Sequence, residues 1–106
     1  MIIYSVTIKI ETASEENWLK YMRKDHIPQV MATGCFMEYR FSKLVMDDPD
    51  GTNYSIQYLC QDKNTLERYQ AEHAKALQAD HTEKFKDKFV AFRSLLEVVD
   101  HNISTV

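Results

Sequence analysis

Glycine is nearly missing from this 106-residue chain, with Gly34 and Gly51 its only two. A glycine-rich phosphate cradle has nothing to be built from, so nucleotide-binding loops are excluded and no cofactor is expected. Cysteine is equally scarce. Cys35 and Cys60 cannot staple a disulfide scaffold, and a reducing, cytoplasmic setting is the default expectation. Positive charge is not in excess: 13 Lys and Arg stand against 16 Asp and Glu, for a net charge of -3. That balance offers no basic footprint for nucleic acid and no polybasic patch for anionic lipid. No apolar run approaches the roughly 20 residues that span a bilayer, and Met1-Ile2-Ile3 enters a strand pattern without the basic flank of a signal peptide.

What is present suits a packed core: 44% of residues are hydrophobic and 11% aromatic. The length fits one domain over residues 1–106, read as a core of 1–99 and a tail of 100–106, His101 to Val106 being loose. Residues 2–10 alternate, with Tyr4, Val6, Ile8 and Ile10 on one face, which predicts a first strand. Thr12 with Glu15 predicts a capping box for a helix carrying Trp18, Met22 and His26 at fourfold spacing. Pro28 predicts a kink or restart, and Gly34 an end.

A second strand is predicted over residues 35–46 and a third from Tyr54 to Cys60, joined through Asp48-Pro49-Asp50-Gly51. Folding that hairpin about the Pro49–Asp50 bond pairs Cys60 with Tyr39. Cys35 then lies ~13 Å farther along, too far for a disulfide. A second helix is predicted to be capped near Asn64, with Leu66, Tyr69, Gln70, His73 and Leu77 on its inner face, and to break near Asp80. Residues 89–99 predict a fourth strand. Four strands and two helices in this order predict an α+β, ferredoxin-like βαββαβ domain, a four-stranded antiparallel sheet with both helices on one face. The opposite face is predicted to carry Ser5, Thr7, Arg40, Ser42, Ser55, Gln57, Arg93 and Glu97 beside Ile3, Leu59 and Leu95. Its apolar members predict a symmetric homodimer through the sheet face.

The segments Trp18, Met22, His26-Ile27-Pro28, Val30 to Gly34, Tyr58, Tyr69, Glu72-His73-Ala74, His81 to Phe85 and Phe89 to Arg93 resemble a small bacterial family. It is the domain of unknown function 4286, whose name carries no activity. The strand order and the His81 to Phe85 segment are also similar to the dimeric α+β barrel superfamily. That superfamily includes antibiotic-biosynthesis-type monooxygenases, haem-degrading enzymes, lactone isomerases and ligand sensors. The resemblance implies a pocket between helices and sheet rather than a particular reaction.

His26 is the leading candidate for chemistry, as a base beside a helix break or, more plainly, as a hydrogen-bonded cap. His73 is the second, either facing His26 and Trp18 across a pocket or resting on a local partner. Trp18, Met22, Tyr58, Tyr69, His81 and Phe85 are the candidate pocket lining, an aromatic set that also suits plain core. Arg40 and Arg93 have the forked geometry that holds carboxylates, but the predicted strand faces turn both away from the pocket. The histidines lack the i, i+4 spacing of a helical zinc pair, so no metal is expected. Three readings follow: a small-molecule-binding homodimer for an apolar or aromatic ligand, a cofactor-independent monooxygenase or isomerase acting on a small aromatic substrate, and an interaction or scaffold module.

Overall fold

The computed structural model describes residues 1–102. The tail expected beyond Asn102 lies outside the described residues. The alternating stretch forms β1 (Ile2–Glu11), and a tight turn at Thr12–Ser14 leads into α1 (Glu15–Tyr21). A wide turn at Met22–His26 joins α1 to α2 (Ile27–Ala32). The hairpin of β2 (Glu38–Lys43) and β3 (Gly51–Cys60) comes next. The second helical rod is α3 (Lys63–Tyr69), another wide turn at Gln70–Ala74, and α4 (Lys75–Lys84), and β4 (Phe89–Glu97) closes the sheet. The sheet order is β2-β3-β1-β4 with every pairing antiparallel, so β1 and β3 are central. Tyr4, Val6, Ile8 and Ile10 pack with Tyr54, Ile56, Tyr58 and Cys60 under Trp18, Met22, Ile27 and Val30 of one rod and Leu66 and Tyr69 of the other.

The helices differ from the simple periodic reading at their wide turns. Pro28 has no N–H to give the carbonyl four residues back, and the rod does not break there. It widens instead just before: the Ile27 N–H bonds the carbonyl of Met22, five residues back. One extra residue per turn rotates everything downstream by ~100°. The buried stripe therefore steps from Met22 to Ile27 and Val30 rather than through His26, which is only partly buried. The second rod does the same at Gln70–Ala74, where no proline accounts for it. Its stripe steps from Tyr69 to Ala74, which leaves His73 half-exposed, and it continues to His81 and Phe85. The break expected near Asp80 does not occur.

Three other local expectations are corrected. The capping box at Thr12 is not made, because Ser14 Oγ donates to Glu11 at 2.8 Å and Glu15 accepts from the Tyr54 hydroxyl at 2.6 Å. The cap of α3 is Asp62, two residues before the predicted Asn64, and its carboxylate accepts from the Thr65 N–H at 2.8 Å. The hairpin register pairs Tyr39 with Tyr58, two residues from the predicted partner Cys60, and β2 is shorter than predicted. The shift preserves strand faces, and both thiols stay free and buried. Gly51 sits where a Cβ would collide with the Ile10 carbonyl across the ladder, so only glycine fits the close approach of β3 to β1.

The consequential correction concerns β4. It pairs with β1 through Val6–Arg93, Tyr4–Leu95 and Ile2–Glu97, so Arg93, Leu95 and Glu97 point to the same side of the sheet as Val6 and Tyr4, but at this edge they extend past the helices and stay exposed. Phe92 pairs with Thr7 and Leu96 with Ile3, which moves them to the open face instead. Among the described residues no helix is long and apolar enough to cross a membrane.

Candidate functional site

Trp18 reaches the middle of the molecule from α1 and is fully buried. Its indole Nε1 donates to His81 Nε2 at 2.9 Å, a buried bond between residues 63 positions apart. An accepting Nε2 makes His81 a neutral imidazole with its proton on Nδ1. The ring of His81 also meets Phe89 edge-on at 4.5 Å between centroids and lies 5.5 Å from the ring of His26. His26 Nδ1 is buried without a hydrogen-bond partner. Burial pushes the pKa of both histidines down to about 4. The nearby Arg93 charge adds to the depression, and for His81 so does His26, while Asp80 opposes it in both.

Asp80 is itself engaged. Lys84 Nζ bonds one of its oxygens at 2.8 Å and the Tyr21 hydroxyl donates to the other at 2.5 Å, holding the carboxyl below its ordinary range. Burial, and then the same carboxylate, push the Tyr21 phenol far above its usual value.

Beside the two histidines, between the helical rods and the sheet, lies a cavity of about 30 Å³. His26, Met22, Tyr58, Tyr69 and His81 line it, together with three polar residues that the sequence reading did not place there, Tyr4, Gln78 and Arg93. The Tyr4 hydroxyl accepts from Arg93 Nε at 3.1 Å and from Gln78 Nε2 at 3.4 Å. Burial raises the phenols of Tyr58 and Tyr69, so both are protonated donors at neutral pH. Both wide turns border the space, through His26 at one and Tyr69 immediately before the other. Such turns recur at functional sites.

Other candidates fall outside. His73 does not line the cavity or meet His26; it lies against Tyr69, 6.1 Å between centroids, with Glu72 3.8 Å away. Trp18 and Phe85 are core packing behind the wall. Arg40, paired with Gln57, stays on the open face. Among the described residues no three of His, Cys, Asp and Glu converge as metal ligands do. A larger depression, about 290 Å³, lies on the open side, bordered by Ile3, Leu59, Arg40 and Glu38. It holds no buried polar group without a partner, which sets the smaller cavity apart as the candidate site.

The sequence model of a domain of unknown function, DUF4286, matches residues 1–99. The chain belongs to the DUF4286 family. No curated protein shows significant sequence similarity to it. Solved structures do share its fold. A dimeric ferredoxin-like protein from an uncultured marine organism superposes with a TM-score of 0.71 at 18% identity, covering 98% of this chain and 100% of that one. A second such protein, also from an uncultured marine organism, gives 0.72 at 10% identity over 95% and 97% of the two chains. SnoaB, a cofactor-independent oxygenase from Streptomyces nogalater, gives 0.67 at 11% identity over 94% and 95%. This DUF4286 chain is thus a ferredoxin-like α+β domain, and at these identities the likeness is one of fold.

Proposed function

We propose that this DUF4286 domain is a homodimeric small-molecule-binding protein whose ligand docks at the cavity between the helical rods and the sheet. The observation that carries the reading is the buried, unpartnered Nδ1 of His26, a residue that lines that cavity together with several polar groups. Buried polar atoms are ordinarily satisfied, so an orphan at a void marks a place where a guest supplies the partner. A pKa near 4 makes His26 a poor general base at neutral pH. That favours binding over the oxygenase or isomerase reading for a small aromatic substrate, which the SnoaB likeness supports at the level of fold. The two buried free thiols suit a reducing cytoplasm.

The test is a thermal-melt screen of the purified chain against fatty acids, quinols and small aromatic acids, repeated on His26→Ala. A ligand at a hundredfold excess over its dissociation constant stabilises by about 2.7 kcal/mol, several degrees in a domain of this size. A hit that weakens in the variant supports the reading. A screen in which no compound moves the melt rejects it.

The partner is a second copy, joined through the open sheet face. Ile3, Leu59 and Leu96 form one continuous row across three strands, and farther along β4 on the same face, beyond Ser94, Phe92 and Val90 are 63% and 70% exposed. Glu38 and Arg40 lie on the same face, so a two-fold axis offers each an opposite charge on the other copy. The dimeric ferredoxin-like proteins of the same fold support a dimer, without specifying its face. Phe92→Asp is expected to convert a dimer to a folded monomer in sedimentation velocity at micromolar concentration. A wild-type chain that sediments as a monomer there overturns the dimer.

A further inference from the structure

We propose that the ligand is a small organic carboxylate, its carboxylate held by Arg93 at the cavity and its neutral remainder lying outward along the exposed helix side of β4. The inference rests on the binding reading above and specifies the charge and size of what binds.

Three observations carry it. The first is the placement of Arg93. The Val6–Arg93 pairing turns this residue toward the helices, where it lines the cavity. Its Nε is spent on the Tyr4 hydroxyl at 3.1 Å. None of the ion pairs among the described residues includes Arg93, so the paired Nη donors of the guanidinium keep their capacity for a planar anion.

The second is an imbalance of charge. The cavity wall has one full charge, positive, and no carboxylate. Tyr58, Tyr69 and Gln78 add donors, and His26 Nδ1 is buried without a partner. The nearest acid, Asp80, is taken by Lys84 and Tyr21. Uncharged histidines and an uncompensated guanidinium leave a site that lacks negative charge, and a carboxylate brings two oxygens with about four lone-pair positions.

The third is size. A cavity of about 30 Å³ is far smaller than the roughly 150 Å³ that admits benzene, so no aromatic ring fits inside it. The part of a ligand that enters must be compact and polar. The remainder stays outside, where Leu95, two residues from Arg93 on the same strand face, is 54% exposed.

The experiment compares matched acids and amides: benzoate with benzamide, phenylacetate with phenylacetamide, and hexanoate with hexanamide, titrated calorimetrically into the full chain at neutral pH. The acids are expected to bind at least tenfold more tightly than their amides. Arg93→Gln is expected to erase that difference, while Arg93→Lys, which keeps the charge but not the fork, retains part of it. Arg93 is exposed on an edge strand, and unchanged melting curves of both variants establish that they are folded. Equal affinity for acids and amides, or acid affinity that survives Arg93→Gln, overturns this inference and leaves the binding reading standing. Silence from both series at millimolar concentration also overturns this inference, and the binding reading then stands or falls on the melt screen.

Discussion

Trp18→Ala is expected to remove a large share of the folding free energy, on the order of 4–6 kcal/mol in urea denaturation, out of the roughly 5–15 kcal/mol typical of a domain this size. Trp18 has no exposed surface and packs against Tyr54 at 5.0 Å and Phe41 at 5.7 Å between ring centroids. It therefore joins α1 to both strands of the hairpin. Truncating a buried Trp costs about 3–5 kcal/mol in lost contacts and residual cavity. It also strands the accepting Nε2 of His81, and a buried polar atom without a partner costs about 1–3 kcal/mol more. Trp18→Phe separates the two contributions, because it keeps most of the apolar volume and loses only the indole N–H. A loss near 1–2 kcal/mol is expected there. If Trp18→Ala costs less than 2 kcal/mol, the indole is not the anchor of the helix layer and the His81 bond contributes little.

The parts of the fold that were legible in the residues share one property, contrast between two faces. In β1, Tyr4, Val6, Ile8 and Ile10 oppose Ser5, Thr7 and Lys9, and the first set is buried throughout whereas only Ser5 of the second is. β3 repeats the contrast with Tyr54, Ile56, Tyr58 and Cys60. β4 has none. Its alternate sets, Phe89-Ala91-Arg93-Leu95 and Val90-Phe92-Ser94-Leu96, are each mostly apolar, and a slip of one residue exchanges the faces without any visible penalty. That ambiguity concealed Arg93, the one charged residue at the cavity. The wide turns concealed the rest. His73 sits four residues after Tyr69, the right interval for an ordinary helix, but the extra residue at Gln70–Ala74 hands the inward position to Ala74 and then to His81. Hydrophobic periodicity assumes a constant 3.6 residues per turn and has no term for an inserted one. The Trp18–His81 bond joins two elements distant in sequence and follows from packing alone.

The stability of the domain is expected to fall as pH drops from about 6.5 to about 4, before most carboxylates titrate. In the unfolded chain both His26 and His81 take up protons near 6.5, whereas burial holds their folded values down to about 4. The unfolded state therefore binds more protons throughout that window, and protonation pulls the equilibrium toward it. The contribution of the neutral rings is fully present above pH 6.5, declines through the window and is gone below about 4. Each unit of depression corresponds to about 1.4 kcal/mol. His81 is well buried but His26 only partly, so solvent screening lowers the simple sum, leaving a loss on the order of 4 kcal/mol for the pair. The carboxyls of Glu15, Asp62 and Asp80 are also held below their ordinary values, so their contribution is lost in the same direction, but it begins only near their unfolded values of 4.5 and 3.8, at the bottom of the histidine window. Urea midpoints at pH 7.5, 5.5 and 4.5 measure the slope, and His26→Leu combined with His81→Gln is expected to flatten it, the glutamine carbonyl still accepting from Trp18. A wild-type midpoint constant from pH 7.5 to 4.5 means that solvent reaches both rings in the folded state. The cavity they border would then be an open cleft, and the orphaned Nδ1 of His26 would need no ligand to satisfy it.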